Sequence, residues 1–187
     1  MNMDSINSYI DKNLSEKRRA HVYGVVETAK KLAEKYGCDI NKAETAALFH
    51  DMFRSTPVEV LNMYIRQLGL DDTYLNNANL AHGPIAAVIM NRDYGIDDQE
   101  VLNAVKYHTT GRTGMSTLEK VIYLADAIEP GRNYPDVDKV RKLAEISLEK
   151  ACLFSMEHSI NYIRERGLFL HEDTIKARDY LLEKGEN

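Results

Sequence analysis

Apolar residues recur every three or four positions along most of this chain, which is the spacing of one face of an α-helix. The clearest case is the segment 17–36, in which small and branched apolar residues repeat at that spacing before Gly37. A glycine directly after such a segment is typical of a helix C-terminus, because it adopts a left-handed backbone conformation at little cost. The pattern therefore predicts a long amphipathic helix from Lys17 to Tyr36.

Start and stop signals divide the rest of the chain into further helices. The predicted helices run from a cap at Asn41 to the pair His50-Asp51, from Pro57 to Gly69, from Pro84 to Gly95, from Asp97 or Asp98 to about His108, from Ser116 or Thr117 through Ala125 to a stop at Pro130-Gly131, from Val137 to Arg166 and from Thr174 to Glu183. The segment 137–166 is interpreted as one long helix or two in tandem. No run of alternating apolar and polar residues indicates a strand, so the predicted fold class is all-α.

The length of the chain favours a single domain. A chain of 187 residues buries one full hydrophobic core and is short for two. No repeat, low-complexity tract or linker divides the sequence. We therefore expect one helical bundle over residues 1–187.

Charge and composition exclude several classes of function. A formal net charge of -5 at pH 7 argues against a nucleic-acid backbone as the main partner, because counterion release requires a basic face. The N-terminus has no basic patch followed by an apolar stretch, and the longest apolar run, at 85–90, is too short to span a bilayer. We therefore expect no membrane partner and a cytoplasmic location. Cys38 and Cys152 lie far apart without a CxxC arrangement, which indicates reduced structural thiols.

The pair His50-Asp51 is the main chemical signal in the chain. His21 lies upstream and Asp126 downstream, each in a segment with a helical pattern. Two imidazoles and two carboxylates suit Fe, Mn, Zn, Co or Ni better than Ca or Mg. Adjacent residues of a helix point about 100° apart, so the pair needs neighbouring helices of a bundle to surround an ion. Metal coordination lowers the pKa of a bound water, which favours hydrolysis of a phosphate ester or anhydride.

Two more histidines strengthen the metal hypothesis. A single histidine on an apolar helix is more often a hydrogen-bonded core residue than a metal ligand, and a lone His-Asp dipeptide is a weak signal. His82 and His108, however, lie beside the polar segments AHGP and YHTTGRTG. We therefore expect one pocket to collect four of the six histidines. His158 and His171 are interpreted as structural or solvent-facing.

The order His21, His50-Asp51, Asp126 resembles the H…HD…D pattern of the HD-domain metal-dependent phosphohydrolase superfamily. Further segments are similar to its bacterial YqeK-type branch: KRRAHVYGV, ALFHDMFR, LAHGPIAA, YHTTGRTGMSTLEKVIYLADAIEPGRNYPDVDKVR and TIKARDYLL. The resemblance implies a single HD domain with its core over about 17–182. Members of that branch are symmetrical bis(5'-nucleosyl)-tetraphosphatases, which use iron to cut diadenosine tetraphosphate into two ADP. The resemblance, not the composition, supplies that substrate.

The resemblance also implies the roles of individual residues. The primary metal ligands would be His21, His50, Asp51 and Asp126. His82 and His108 would face the same cavity, either as ligands of a second metal bridged by Asp51 or as hydrogen-bond donors to the substrate phosphates. One or two ions are expected, iron first, with Mn, Co, Ni or Zn as alternatives. Asp51 is the expected catalytic residue, because it would touch both the metal and the attacking water.

A polyphosphate carries several negative charges, so cationic side chains are expected near the metal. Arg54 lies about one helical turn past the His-Asp pair, and Arg132 follows the Pro-Gly break, so both are candidates for substrate binding. Thr109 would add a hydroxyl, in a loop whose glycines Gly111 and Gly114 would let backbone amides approach a phosphate. The basic cluster at 17–19 is interpreted mainly as a solvated face, from which one side chain reaches the pocket.

Three other functions use the same residues. A phosphohydrolase acting on dNTPs or nucleoside monophosphates would need the same metal set, so only its substrate profile separates it from a dinucleoside polyphosphatase. An HD-type di-iron oxygenase would use all four site histidines but would consume oxygen. A nucleotide-binding sensor without activity would be expected to lose at least one ligand, whereas every ligand position is kept here. The expected partner in the hydrolase and sensor cases is a small-molecule nucleotide, and a homodimer is a further possibility.

Overall fold

The structure is a computed structural model that describes residues 3–185. These residues form ten α-helices and one turn of 3₁₀ helix, Asp72–Tyr74. The helices are α1 (Met3–Asn13), α2 (Glu16–Tyr36), α3 (Ile40–Phe49), α4 (Val58–Leu68), α5 (Ala78–Tyr94), α6 (Gln99–Lys106), α7 (Thr117–Ile128), α8 (Val137–Ala144), α9 (Leu148–Glu165) and α10 (Glu172–Gly185). No strand occurs among the residues described, which confirms the predicted all-α fold. No helix between residues 3 and 185 has the length and apolar character needed to cross a membrane.

Helix α7 is the central element of the bundle. It packs against α2, α3, α6, α8 and α9. Eight of its twelve residues are buried, and a helix that is apolar around most of its circumference is stable only when other helices cover it. Asp126 lies on this helix, so one of the predicted ligands is carried by the core itself.

The predicted start of α7 is confirmed and includes a capping box. The Ser116 hydroxyl accepts a hydrogen bond from the Glu119 backbone N–H at 3.2 Å, and the Glu119 carboxylate accepts one from the Ser116 N–H at 2.7 Å. Glu119 is buried and also accepts two hydrogen bonds from Arg112, at 2.5 and 2.8 Å. This ion pair ties the loop that follows His108 to the central helix.

The helix that carries the His-Asp pair starts and ends earlier than predicted. Asp39, not Asn41, caps α3, because its carboxylate accepts from the backbone N–H groups of both Asn41 and Lys42. The helix ends one residue before His50, which is its C-cap, and Asp51 lies in the turn that follows. The two side chains are therefore presented by a helix terminus and not by a regular helix.

The predicted start of helix α5 is Pro84, but the helix begins six residues earlier, at Ala78. Asn77 caps it by accepting a hydrogen bond from the Leu80 N–H at 3.3 Å. Pro84 is tolerated inside the helix although it removes one intrahelical hydrogen bond. The preference of proline for the first helical turn misled the prediction. The earlier start places His82 within the helix.

Two other parts of the chain complete the comparison between the predicted and the observed helices, the segment 137–166 and helix α1. The segment 137–166 forms two helices in tandem, and Ser147 caps the second by accepting from the Lys150 N–H at 3.3 Å. Helix α1 was not predicted, although Ile6 and Ile10 follow helical spacing and are buried. The remaining predicted ends lie within three residues of the observed ones.

We predict that Gly111→Ala destabilises the fold more than Gly114→Ala. Both glycines have left-handed φ angles, 66° and 70°, so alanine at either costs about 1–2 kcal/mol of backbone strain. A Cβ at Gly111 would also lie 2.6 Å from Met156 Cε and 3.2 Å from Ala177 Cβ, which adds about 1–3 kcal/mol of overpacking. A Cβ at Gly114 meets nothing within 4 Å. Urea denaturation of both variants measures the difference, and equal losses would contradict the packing argument.

Candidate metal centre

Six side chains from five helices, or from the turns that follow them, converge at one point of the bundle. They are His21 on α2, His50 at the end of α3, Asp51 in the turn after α3, His82 on α5, His108 in the turn after α6 and Asp126 on α7. Four of these residues, His50, Asp51, His82 and His108, are at most 3% exposed. The structure thus brings together every residue that the sequence indicated as a metal ligand.

The first donor group consists of His21, His50, Asp51 and Asp126. His21 Nε2 lies 3.4 Å from Asp51 Oδ2 and 3.1 Å from Asp126 Oδ1. His50 Nε2 lies 3.4 Å from His21 Nε2, and it lies 3.6 Å from the same oxygen of Asp51. Two imidazole nitrogens and two carboxylate oxygens therefore surround one small volume.

The second donor group shares Asp51 with the first. Asp51 Oδ1, the other carboxylate oxygen, lies 3.3 Å from His82 Nε2. His82 Nε2 in turn lies 2.9 Å from His108 Nε2. The ligand atoms of Asp51, His82 and His108 all lie within 4.8 Å of one another, as do those of His21, His50 and Asp51. Asp51 therefore offers one oxygen to each group.

In each of the four histidines of the centre, the ring nitrogen that points away from the cluster, Nδ1, is held by a hydrogen bond. We call it the outer nitrogen. His50 Nδ1 lies 2.6 Å from the Ala47 carbonyl, His82 Nδ1 lies 3.1 Å from that of Ala78, His108 Nδ1 lies 2.7 Å from that of Val105, and His21 Nδ1 lies 3.1 Å from Glu129 Oε1. A carbonyl oxygen only accepts, so Nδ1 of those three rings carries the proton. A neutral ring then turns the lone pair of Nε2 towards the cluster. Metal-binding histidines are held in this way.

This donor set fits a divalent metal ion. His50 Nε2 faces Asp51 Oδ2 at 3.6 Å and His82 Nε2 faces His108 Nε2 at 2.9 Å, and such lone pairs and ionised carboxylates repel one another unless a cation lies among them. Imidazole nitrogen with carboxylate oxygen is a set that divalent transition metals prefer. The centre therefore has the composition, the ring orientation and the need for positive charge of a metal site.

Protonation of the histidines follows from the same arrangement. Burial by itself lowers the pKa of His21, but hydrogen bonds to Asp126 and Asp51 outweigh it and raise the pKa to about 9. Burial lowers the pKa of His108 to about 3, and it also lowers the pKa of His50. His50 and His108 are therefore neutral at neutral pH, as a metal ligand must be, whereas a proton on His21 balances the carboxylates in the metal-free protein.

The two carboxylates stay ionised. Burial favours the protonated form of Asp51, but its interactions with His50, His21 and His82 outweigh that effect and hold its pKa well below the usual value. Burial likewise opposes ionisation of Asp126, and its contacts with His21 and Arg132 outweigh that effect and lower its pKa. Both aspartates thus meet the requirement that a metal ligand be deprotonated.

Gly83 allows the second donor group to form. A Cβ at this position would lie 2.9 Å from the Val105 carbonyl oxygen and 3.1 Å from His108 Nδ1. The backbone at the end of α6 cannot move away freely, so a larger residue would push α5 and α6 apart. The glycine of the AHGP segment therefore has a steric reason: it lets His82 approach His108.

Two of the predicted substrate-binding residues contact the donor groups. The Pro-Gly turn aims Arg132 back at α7, where its Nε donates to the Asp126 carbonyl at 2.7 Å and its Nη2 donates to the Asp126 carboxylate. Thr109 Oγ1 lies 3.2 Å from His108 Nε2. Both side chains are thus placed beside the centre.

The structure places two other loop candidates elsewhere. Arg54 donates to Asn79 Oδ1 at 2.7 Å, so it is paired with an amide on α5 and not with the donor groups. The Gly111 backbone N–H, expected to approach a phosphate, donates to the Tyr107 carbonyl at 2.7 Å and is buried. The role of Arg54 in substrate binding stays a prediction, and Gly111 serves the packing of the loop.

Two residues that contact the centre are not singled out by the sequence, although one side chain of the basic cluster at 17–19 is expected to reach the pocket. Arg18 Nη1 lies 2.6 Å from Asp51 Oδ2, and it is the one member of the basic cluster at 17–19 that reaches the centre. Glu129 accepts a hydrogen bond from His21 Nδ1. Each lies three residues from a predicted ligand, which is about one helical turn. That spacing was the available signal, although it does not tell a site residue from a solvated one.

A cavity of about 700 Å³ opens beside the first donor group, between α2 and the segment that follows α7. The residues of its wall that bear on function are Lys17, Arg18, His21, Glu129, Arg132 and Tyr134. Three of these side chains are basic and one is an aromatic ring. The cavity therefore suits an anionic ligand that also carries a planar group.

Comparisons with known proteins agree with this arrangement. The family model described as HD domain matches residues 18–131, a span that holds all six donors. A protein of Bacillus subtilis (strain 168) named "Bis(5'-nucleosyl)-tetraphosphatase, symmetrical" is 39% identical over 183 residues, which cover 97% of this chain and 98% of the relative. A protein of the same name from Staphylococcus aureus (strain NCTC 8325 / PS 47) is 38% identical over 96% of this chain and 94% of its own.

A solved structure has the same fold. It is a Clostridium acetobutylicum protein described as a "predicted HD superfamily hydrolase involved in NAD metabolism", and its chain is 44% identical to this one. The two superpose with a TM-score of 0.92 over 97% of each chain. The helical bundle is therefore shared along nearly the whole length.

We predict that Mn²⁺ raises the Tm of protein freed of metal by a chelator. An ion that binds only the folded state stabilises it by about 2.7 kcal/mol at 100 times its Kd. Asp51→Asn should lose most of this shift, because Asp51 belongs to both donor groups. Scanning fluorimetry of each variant with and without Mn²⁺ measures the shift independently of the variant's own stability.

The matched control for this prediction is Asp93→Asn. Asp93 is an exposed carboxylate paired with its neighbour Arg92, outside both donor groups. It should keep the wild-type response to Mn²⁺. An equal response in Asp51→Asn and wild type would contradict the assignment of Asp51.

Proposed function

This chain belongs to the HD domain family, and we propose that it is a metal-dependent phosphohydrolase that cleaves diadenosine tetraphosphate symmetrically into two molecules of ADP. The observation that carries the proposal is a complete set of six donors beside a basic cavity. The substrate is supported by the 39% identity, over nearly the full length of both chains, to a relative that bears the name of this activity.

We assign the two donor groups to two ions. His21, His50, Asp51 and Asp126 would hold the first, and Asp51, His82 and His108 would hold the second. Bound ions of this kind supply a water nucleophile at neutral pH and a Lewis acid for a phosphoryl oxygen. Iron is the proposed metal, as the resemblance to the YqeK-type branch implies, and Mn, Co, Ni or Zn would suit the same donors.

Arg18 and Arg132 would bind the phosphate oxygens of the substrate. Both lie on the wall of the cavity, and each reaches one of the aspartates of the first donor group. A guanidinium has five N–H donors in a planar fork, so pairing with an aspartate leaves donors for a phosphate. Tyr134 lies on the same wall and offers a ring face to a nucleobase.

The reaction requires charged groups of the chain to be held in place around the phosphates. It does not require a strong proton donor for the leaving ADP. Water attacks one of the two inner phosphorus atoms, and the bond from that phosphorus to the bridging oxygen breaks. One ADP leaves with the bridging oxygen on its terminal phosphate, and the attacked phosphorus with the water oxygen becomes the terminal phosphate of the other ADP. Catalysis of phosphoryl transfer is mostly positioning and charge stabilisation. The lowered pKa of Asp51 makes it a weak base at neutral pH, so its role at the attacking water is orientation.

We predict that the metal-loaded protein converts diadenosine tetraphosphate to ADP as the sole nucleotide product. His50→Ala and Asp126→Ala should each abolish turnover while keeping the helical signal in circular dichroism, because they remove ligands and leave the apolar core intact. Anion-exchange chromatography of timed reactions separates the nucleotides. The same assay includes dNTPs and nucleoside monophosphates, which the alternative function would favour.

The control for these variants is Asp93→Ala, which removes a surface carboxylate and should keep full activity. Wild-type turnover in either His50→Ala or Asp126→Ala would overturn the assigned centre. AMP and ATP as products would indicate asymmetric cleavage and would overturn the symmetrical activity.

We predict that Arg18→Ala lowers kcat/KM for diadenosine tetraphosphate by about 10- to 100-fold. A hydrogen bond to a charged group is worth about 1.5–3 kcal/mol, and each 1.36 kcal/mol changes a rate tenfold. Steady-state kinetics should show most of the loss in KM. Arg19→Ala is the matched control, since Arg19 is the next residue on α2 and donates to the Asp11 carbonyl at 2.8 Å. Equal effects of the two variants would argue against a phosphate contact by Arg18.

A further inference from the structure

Glu129 is a buried carboxylate that contacts a ligand of the centre without belonging to either donor group. It follows α7 directly and is 4% exposed. One oxygen, Oε1, accepts a hydrogen bond from His21 Nδ1 at 3.1 Å, and the other, Oε2, accepts one from the Gly131 backbone N–H at 2.5 Å. Its carboxylate therefore lies behind the His21 ring, on the side away from Asp126.

This contact sets His21 apart from the other three histidines. The outer nitrogens of His50, His82 and His108 are held by backbone carbonyls. Those three rings are also almost fully buried, whereas the His21 side chain is 9% exposed beside the cavity. His21 thus has less packing to fix its ring and a charged partner in place of a carbonyl.

The surrounding backbone is shaped to receive the carboxylate. A Cβ at Gly24, one turn along α2 from His21, would lie 2.7 Å from Glu129 Oε2. A Cβ at Gly131 would lie 2.9 Å from Glu129 Oε1. Arg141 donates to the Glu129 carbonyl at 2.9 Å and holds its backbone. The carboxylate therefore occupies a space that two glycines leave open.

We infer that Glu129 is a positioning residue for the first metal: its carboxylate holds a proton of His21 on Nδ1 and directs Nε2 into the space beside Asp51 and Asp126, where its lone pair would bind the ion. A negative charge behind the ring also makes Nε2 a stronger donor than a carbonyl would. The inference rests on the proposed metal centre. Glu129 itself does not touch the metal or the substrate in this role.

The test is the affinity of chelator-treated protein for Mn²⁺, measured by titration calorimetry without substrate. Glu129→Gln keeps the size of the side chain and removes its charge, and we expect the Kd for Mn²⁺ to rise about 10- to 100-fold, the usual cost of losing a partner that orients a ligand. Gly24→Ala should weaken binding in the same direction, because the added Cβ displaces the carboxylate while its charge remains. The second variant keeps the inference testable if Glu129→Gln does not fold.

The matched control is Glu119→Gln, which neutralises a different buried carboxylate, located on α7. Glu119 pairs with Arg112, away from both donor groups. It should lower the Tm through the loss of that pair and keep the wild-type Kd for Mn²⁺. A purely structural role for Glu129 would lower the Tm in the same way and leave the Kd unchanged.

The outcomes separate this inference from the proposed function. If wild-type protein does not bind Mn²⁺, the metal centre itself is overturned. If wild type binds Mn²⁺ and both Glu129→Gln and Gly24→Ala bind it equally well, only the positioning role is overturned. An equal loss of affinity in Glu119→Gln would also overturn it, because the effect would then come from general destabilisation.

Discussion

The rest of the centre depends on one buried charge, the carboxylate of Asp51. A buried carboxylate is costly unless opposite charges or hydrogen-bond donors surround it. Here Arg18 and His21 contact one of its oxygens and His82 contacts the other. Because these partners come from α2 and α5, the demand for compensation holds α2, α5 and the end of α3 together around one point.

Helix ends and glycines, more than helix faces, make this geometry possible. Asp51 follows the end of α3 and His108 follows the end of α6, so both side chains leave their helices where the backbone turns. Gly83 lets two helices approach closely, and Gly24 leaves space for Glu129. Asp126, by contrast, sits on the buried central helix. The site therefore combines a rigid core position with side chains placed by turns.

Local charge and total charge differ in this protein. The chain has a formal net charge of -5, yet the cavity beside the centre is lined by Lys17, Arg18 and Arg132. The net negative charge of the chain does not attract an anion over long distances, whereas guanidinium groups attract a phosphate that lies within a few ångström of them. In the proposed function, the binding of an anionic substrate would thus depend on a few side chains on α2 and in the turn after α7.

Short-range chemistry by itself determined most of the helices and the identity of the donors. Three kinds of signal act within one or two helical turns: apolar residues at helical spacing, the capping box at Ser116 and the glycines after α2, α4 and α5. They can therefore be recognised in the sequence. The order of His21, His50-Asp51 and Asp126, which indicates the metal ligands, can be recognised there too. Only the tertiary structure decided that Asp51 serves two groups, that Arg18 reaches it while Arg54 pairs elsewhere, and that Glu129 orients His21. His21 and Glu129 are 108 positions apart, and such contacts depend on how whole helices pack, which no local pattern encodes.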